Sequence, residues 1–168
     1  MNTSQRELRL ERILDAPRHL VWKAWTDPEQ MKKWWGPADF TSPVLTIDLR
    51  VGGKFHGCMR GPDGKDYWSG GVYKEVVPEE RIVVSDFFSD ENGHVIDPVG
   101  YGADPLFPKE NIVTITFEEI GNQTKVTILY IVESDEVLQA MLQMQMREGW
   151  ESSLDKLGRT LAELSGRS

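Results

Sequence analysis

The sequence predicts an α+β fold in which a curved, seven-stranded antiparallel sheet grips one long C-terminal helix. Three observations carry that prediction. Seven segments have strand periodicity; four of them follow one another through tight turns and the last two form a hairpin, as antiparallel neighbours do, whereas parallel strands would need long crossovers. The C-terminal segment carries an apolar stripe at helical spacing. Between the first and second strands stands a block from Asp15 to Pro37 with two short helix starts and four of the six tryptophans.

The first strand is read from alternation over Glu7–Leu14, with Leu8 and Leu10 on one face and Glu7, Arg9 and Glu11 on the other. Asp15-Ala16-Pro17 switches the chain to helix, because proline at a first helical position loses no hydrogen bond. Leu20, Val21, Ala24 and Trp25 give that helix its apolar face. Thr26-Asp27-Pro28-Glu29 starts a second helix, capped by Thr or Asp and ended by Gly36-Pro37. Adjacent Trp34 and Trp35 cannot share a helical face, so one is expected near the surface. Strands follow from Phe40 to Leu49, Lys54 to Arg60, Tyr67 to Val77 and Arg81 to Phe88, with Val51-Gly52-Gly53, Gly61-Pro62-Asp63-Gly64 and Pro78-Glu79-Glu80 as turns. Ser89–Lys109 is a long, turn-rich loop, and loops of that length tend to be functional. It is either a lid or a static insertion, with Tyr101 and Phe107 as its apolar anchors in both cases. Asn111–Ile120 and Thr124–Glu133 form a hairpin through Gly121-Asn122. A single helix is expected from about Glu136 to Leu164, capped by Ser134 or Asp135. Its stripe is Leu142, Met146, Trp150, Leu154, Leu157, Leu161 and Leu164, and its polar face includes Gln139, Gln143, Glu151, Asp155 and Lys156.

Composition narrows the function classes. The 168 residues, expected to form one domain over 1–168, are long enough to bury a core or enclose a cavity. A net charge of −8 opposes nucleic acid and anionic membrane surfaces as partners. No apolar run reaches membrane-spanning length, the start is polar, and the single cysteine, Cys58, forms no internal disulfide; a cytoplasmic protein is expected. Gly52-Gly53 and Gly70-Gly71 lack the spacing of a nucleotide loop and are assigned to turns and bends. His19, His56 and His94 are scattered, and His56 with Cys58 falls short of a zinc ligand set. No cofactor and no metal are expected.

The chain resembles the activator of Hsp90 ATPase homologue 1-like (AHSA1-like) branch of the START/Bet v 1-like (SRPBCC) superfamily, from about Leu8 to Leu164. The resemblance rests on Asp15-Ala16-Pro17, Val21-Trp22-Lys23-Ala24-Trp25-Thr26-Asp27-Pro28, Trp34-Trp35-Gly36-Pro37, Val51-Gly52-Gly53-Lys54-Phe55, Met59-Arg60-Gly61-Pro62-Asp63-Gly64, Gly71–Arg81 and Gly149–Leu157. It implies the helix-grip fold with an apolar cavity between sheet and helix. None of these motifs is catalytic, and the superfamily spans lipid binders, cyclases, hormone receptors and co-chaperone-like domains.

The leading expectation is therefore a non-catalytic protein that holds a small apolar or amphipathic molecule between sheet and helix. Trp25, Phe55, Met59, Trp68, Tyr73, Phe87, Phe117, Met146 and Trp150 are the expected wall, chosen for size and inward phase. A one-residue error of phase would exchange every choice on a strand. Trp35 is a further candidate at the mouth. An Hsp90-type chaperone is the alternative partner, implied by the family. The third reading is a cyclase- or hydrolase-like enzyme, which needs an acid or base of shifted pKa facing the cavity; Tyr73, Asp86 and Glu148 are the candidates, with Glu118 and Glu151 also near it.

Overall fold

The computed structural model describes residues 6–166. The elements are β1 (Arg6–Leu14), α1 (Arg18–Thr26), α2 (Pro28–Met31), β2 (Thr41–Ile47), β3 (Lys54–Arg60), β4 (Asp66–Val77), β5 (Arg81–Ser89), β6 (Asn111–Ile120), β7 (Gln123–Val132), α3 (Asp135–Gln143) and α4 (Met146–Leu164). The seven strands form one antiparallel sheet in the order β1-β7-β6-β5-β4-β3-β2. Strands β2 to β7 meander back until β7 lies beside β1. The chain between β1 and β2 must therefore cross from one edge of the sheet to the other. The two short helices occupy that crossing, α1 packed on β6, β7 and α4, and α2 on β2.

Local chemistry sets the crossing. Ala16 is buried, and its carbonyl accepts a hydrogen bond from the buried Thr124 hydroxyl at 2.8 Å, which ties the turn after β1 to β7. Asp27 caps α2 by accepting from the Glu29 amide at 3.0 Å, with Pro28 at the first helical position. Trp34, fully buried, donates from its indole nitrogen to the Ala24 carbonyl at 2.9 Å. Trp35 is half-buried, so neither neighbour is left on the surface. The second helix closes at Met31, five residues before the Gly36-Pro37 stop.

The core lies on the concave face. Leu8, Leu10 and Leu14 of β1, Val113, Ile115 and Phe117 of β6, and Val126 and Ile128 of β7 meet Val21 and Trp25 of α1 and Leu154, Leu157 and Leu161 of α4. Each fully buried leucine contributes about 2 kcal/mol of transfer free energy. Register shifts in the β2–β3 and β4–β5 pairs mark bulges, which increase local twist and help curve the sheet.

The C-terminal helix differs from the expectation of one continuous element. It breaks between Gln143 and Met146, where Gln145 has φ 59° and ψ 36°, a left-handed conformation uncommon outside glycine. Stripe residues Leu142 and Met146 flank the break at helical spacing, so periodicity passes over it unseen.

Lys156 also departs from its expected place on a solvated face. It is half-buried, and its ammonium donates to the carbonyls of Gly36, Pro37 and Phe40 at 3.1, 3.0 and 3.1 Å. Burial, with some repulsion from Arg159, lowers its pKa. Nearby, the Ser152 hydroxyl accepts from the Ala38 amide at 2.6 Å. Together these bonds clamp the 36–40 loop onto α4. Lys156→Met should leave three carbonyls short of a donor and destabilise the protein by about 1–3 kcal/mol. Urea unfolding checks this; an unchanged midpoint would mean the clamp holds nothing.

Candidate functional site

Between the concave face and α4 the side chains leave a cavity of two lobes. The outer lobe, about 220 Å³, is bounded by Trp35-Gly36-Pro37, by β3 to β5, by Phe107, and by the α3–α4 junction with Gly149, Trp150 and Ser153 beyond it. The inner lobe, about 40 Å³, lies deeper among Trp25, Met31, Phe55, Tyr73, Ile82 and Ile115. Trp35, Asp86, Tyr130 and Trp150 line both, and so form the waist between them.

Strand register decides who faces this space. Phe55 pairs with Gly71, Gly57 with Ser69, and Met59 with Tyr67; on the far side Ser69 pairs with Phe88 and Tyr73 with Val84. Directly opposed residues share a face, and residues two apart share it again. Phe55, Met59, Tyr67, Ser69, Tyr73, Val84, Asp86 and Phe88 thus make up the concave set. Trp68 and Phe87 fall in the opposite phase. The Trp68 ring stacks on His56 at 5.0 Å, and a Cβ on Gly70 would meet the Phe87 ring at 3.0 Å. Both residues border the outer lobe where it runs along 67–69 and 86–88, with their rings turned to the convex side.

Of the other expected wall residues, Met59, Met146 and Trp150 line the outer lobe, and Trp25, Phe55, Tyr73 and Trp150 the inner one. Phe117 lines neither. It is buried in the core, edge-on to Trp22 and Trp25 with ring centroids 5.4 and 5.6 Å apart. Sequence reasoning passed over Tyr130 and Asn111. Alternation along β7 through Thr124, Val126 and Ile128 points Tyr130 inward, and that signal was available.

Polar groups are few, and they converge at the waist. The Trp150 indole N–H donates to the Tyr130 hydroxyl at 3.0 Å, and that hydroxyl donates to an Asp86 carboxylate oxygen at a long 3.5 Å. Desolvation pushes the Asp86 pKa up to about 6, against the opposing effect of the Tyr130 bond. Asp86 nevertheless keeps some accessible surface, consistent with a carboxyl on a cavity wall, removed from bulk water but not walled in by protein. Burial also raises Tyr130 and Tyr73 above the ordinary tyrosine range. Two buried polar atoms on lining residues have no partner, the indole nitrogen of Trp35 and the hydroxyl of Ser69.

The remaining candidates lie elsewhere. Glu118, Glu148 and Glu151 are exposed and line neither lobe. His56 and Cys58 sit on the convex face of β3, His56 bonding to the Asp90 carbonyl at 3.2 Å, while burial raises the Cys58 thiol pKa and so disfavours the thiolate. Among the described residues no group of three or more His, Cys, Asp or Glu could hold a metal ion, and no helix is long and apolar enough to cross a membrane. The long loop is pinned at the sheet's end. The Tyr101 hydroxyl donates to the Ser89 carbonyl at 3.0 Å and accepts from the Trp68 amide at 3.2 Å, and Phe107 packs on Phe88 while lining the outer lobe.

Asp86 makes stability pH-dependent. Its pKa is raised in the folded state, so folding favours the protonated form; this contribution is whole below about pH 4 and is lost as pH rises through about 6. Asp86→Asn should therefore leave stability little changed near pH 4 and raise it by about 3 kcal/mol, relative to the native chain, by pH 7.5. Denaturant unfolding of both proteins across this range measures the difference; parallel curves would show that Asp86 is solvated like a surface carboxylate.

Comparison with known proteins gives a consistent relationship. The model of the activator of Hsp90 ATPase homolog 1-like protein family matches residues 15–162. A protein from Arthrobacter aurescens, solved by NMR, superposes with a TM-score of 0.80 at 29% identity, covering 94% of this chain and 86% of its own. Ms6760 from Mycobacterium smegmatis gives 0.78 at 28% identity, over 95% and 96% of the two chains. CV1439 from Chromobacterium violaceum gives 0.70 at 29%, over 92% and 96%. No curated protein matches. With a seven-stranded sheet closed on its C-terminal helices and a family match spanning nearly its whole length, the chain belongs to the activator of Hsp90 ATPase homologue 1-like family.

Proposed function

We propose that the protein binds a small apolar or amphipathic molecule in the two-lobed cavity, without transforming it. The observation that carries this reading is the wall. Trp35, Met59, Phe88, Phe107, Met146 and Trp150 enclose a space that core packing leaves open. Trp35 and Trp150, their rings edge-on at 5.6 Å, stand where a ligand would pass from the outer lobe to the inner.

Two other roles have less behind them. Contact with an Hsp90-type chaperone is supported by the family's description. It would use an outer surface, and an ATPase assay with an Hsp90-type protein tests it directly. An enzymatic role would draw on Asp86 and Tyr130, whose 3.5 Å separation is long for a working proton transfer.

Gly149 offers a clean test of the cavity reading. It lines the outer lobe within α4, and a Cβ there meets only the Pro37 ring, at 3.9 Å. Gly149→Ala should stabilise the helix by about 0.5–1 kcal/mol. Gly149→Leu should stay folded and fill part of the lobe. Native mass spectrometry of freshly purified protein, followed by NMR titration with a panel of apolar compounds, should show retained or added ligand in the native chain. The Leu variant should bind about tenfold more weakly or worse. Equal binding by the two proteins, or shifts confined to residues outside the lobes, would refute the proposal.

A further inference from the structure

We infer that the cavity is built for a cation: an organic ammonium, protonated at neutral pH and carried on an apolar body, whose head seats against Asp86. The inference rests on the cavity reading and adds the chemistry of the ligand to it.

The lining itself makes the argument. Among the described residues bounding either lobe there is no lysine, arginine, histidine or glutamate; Asp86 alone carries charge at neutral pH. The titratable groups that share the space with it are Tyr67 and Tyr73 from β4 and Tyr130 from β7; β6 contributes Asn111, and α4 contributes Trp150 and Ser153. Lys156, on the same helix as Trp150, is engaged with three backbone carbonyls and lines neither lobe. No charged neighbour contributes to the Asp86 shift, which comes from burial and the Tyr130 bond. A lone carboxylate in an apolar cavity is costly unless something of opposite charge joins it.

Each ligand class meets this wall differently. A carboxylate ligand such as a fatty acid finds no cation to receive it and a like charge at the waist. A neutral hydroxyl can donate to Asp86 but gains no charge attraction. An ammonium gains the ion pair, and its remaining N–H groups have the Ser69 hydroxyl, buried without a partner, as a second acceptor. The rings of Trp35, Tyr130 and Trp150 line the space, and an aromatic face attracts a cation electrostatically; the Tyr67 ring already has the Lys65 ammonium over it, 5.2 Å from its centroid. Of the two buried lining atoms without a partner, the Trp35 indole N–H, a donor only, is the one an ammonium leaves unsatisfied.

Three probes with one apolar body separate these cases: naphthylmethylamine, naphthylmethanol and naphthoate, titrated calorimetrically into the native protein at about pH 7.5 and about pH 4.5. At the higher pH the amine should bind about tenfold or more tightly than the alcohol, and the carboxylate most weakly. Lowering the pH protonates Asp86 while the amine keeps its charge, so the amine's advantage should collapse and naphthoate should bind better than before. Asp86→Asn, with its fold checked by circular dichroism, should abolish the amine preference at the higher pH. If all three probes bind alike, or naphthoate binds best near pH 7.5, the cation inference is overturned and the cavity reading stands. Failure of all three to bind at either pH overturns both.

Discussion

The structure turns on Trp150. Its ring stacks on Trp25 of α1 with centroids 6.2 Å apart, meets Trp35 edge-on at 5.6 Å, and its N–H bonds to Tyr130 of β7. One side chain on the C-terminal helix therefore touches the first helix, the segment after the second, and the sheet. Trp34, Phe55 and Phe117 extend the same aromatic cluster. Rings of this size bury much area per residue with few rotamers to freeze, so a handful of them can hold helices and sheet in place without filling every gap between them. The cavity is the remainder of that arrangement.

That economy has a second side. A core closed by large rigid rings leaves space beside them, and the waist of the cavity carries Asp86, whose charged form burial disfavours. The chain keeps a carboxyl that burial drives toward its neutral form, beside a serine hydroxyl and an indole N–H that bond to nothing in the protein. Unsatisfied buried polar atoms are uncommon in native structures, and strain against folding is tolerated where a site needs it. Here the Trp35 and Ser69 atoms lie on the lining of one cavity, while the other buried side-chain atoms without a partner, on Arg18, Gln30 and Ser42, line neither lobe. The mouth, by contrast, is held firmly. Lys156 and Ser152 fasten the 36–40 loop to α4, and Tyr101 fastens the long loop to β4 and β5.

Much of the architecture was legible in the residues. Pro28 after Asp27 announced the second helix, Gly121-Asn122 the last hairpin, and Leu8 with Leu10 the inward face of β1. These are local signals, written in backbone preference and in the two periodicities of strand and helix. Individual wall positions were harder. Size and an inward phase suggest Trp68 and Phe87 as wall, and both border the outer lobe, but cross-strand pairing turns their rings to the convex face, because phase is a property of two strands together. The family resemblance described the fold well and was silent on Tyr130.

By itself, the sequence determined the order of the strands and the two short helices, the antiparallel meander and the concentration of tryptophan at one end. All of these follow from composition and from spacing along one chain. Tertiary structure decided the break at Gln145, the burial of the Lys156 ammonium against three carbonyls, and the meeting of Asp86, Tyr130 and Trp150 at the waist. Those residues lie on β5, β7 and α4, far apart in sequence, and no periodicity relates them. What a carboxylate at that point becomes depends on how much water the rest of the fold removes from it, and only packing in three dimensions sets that.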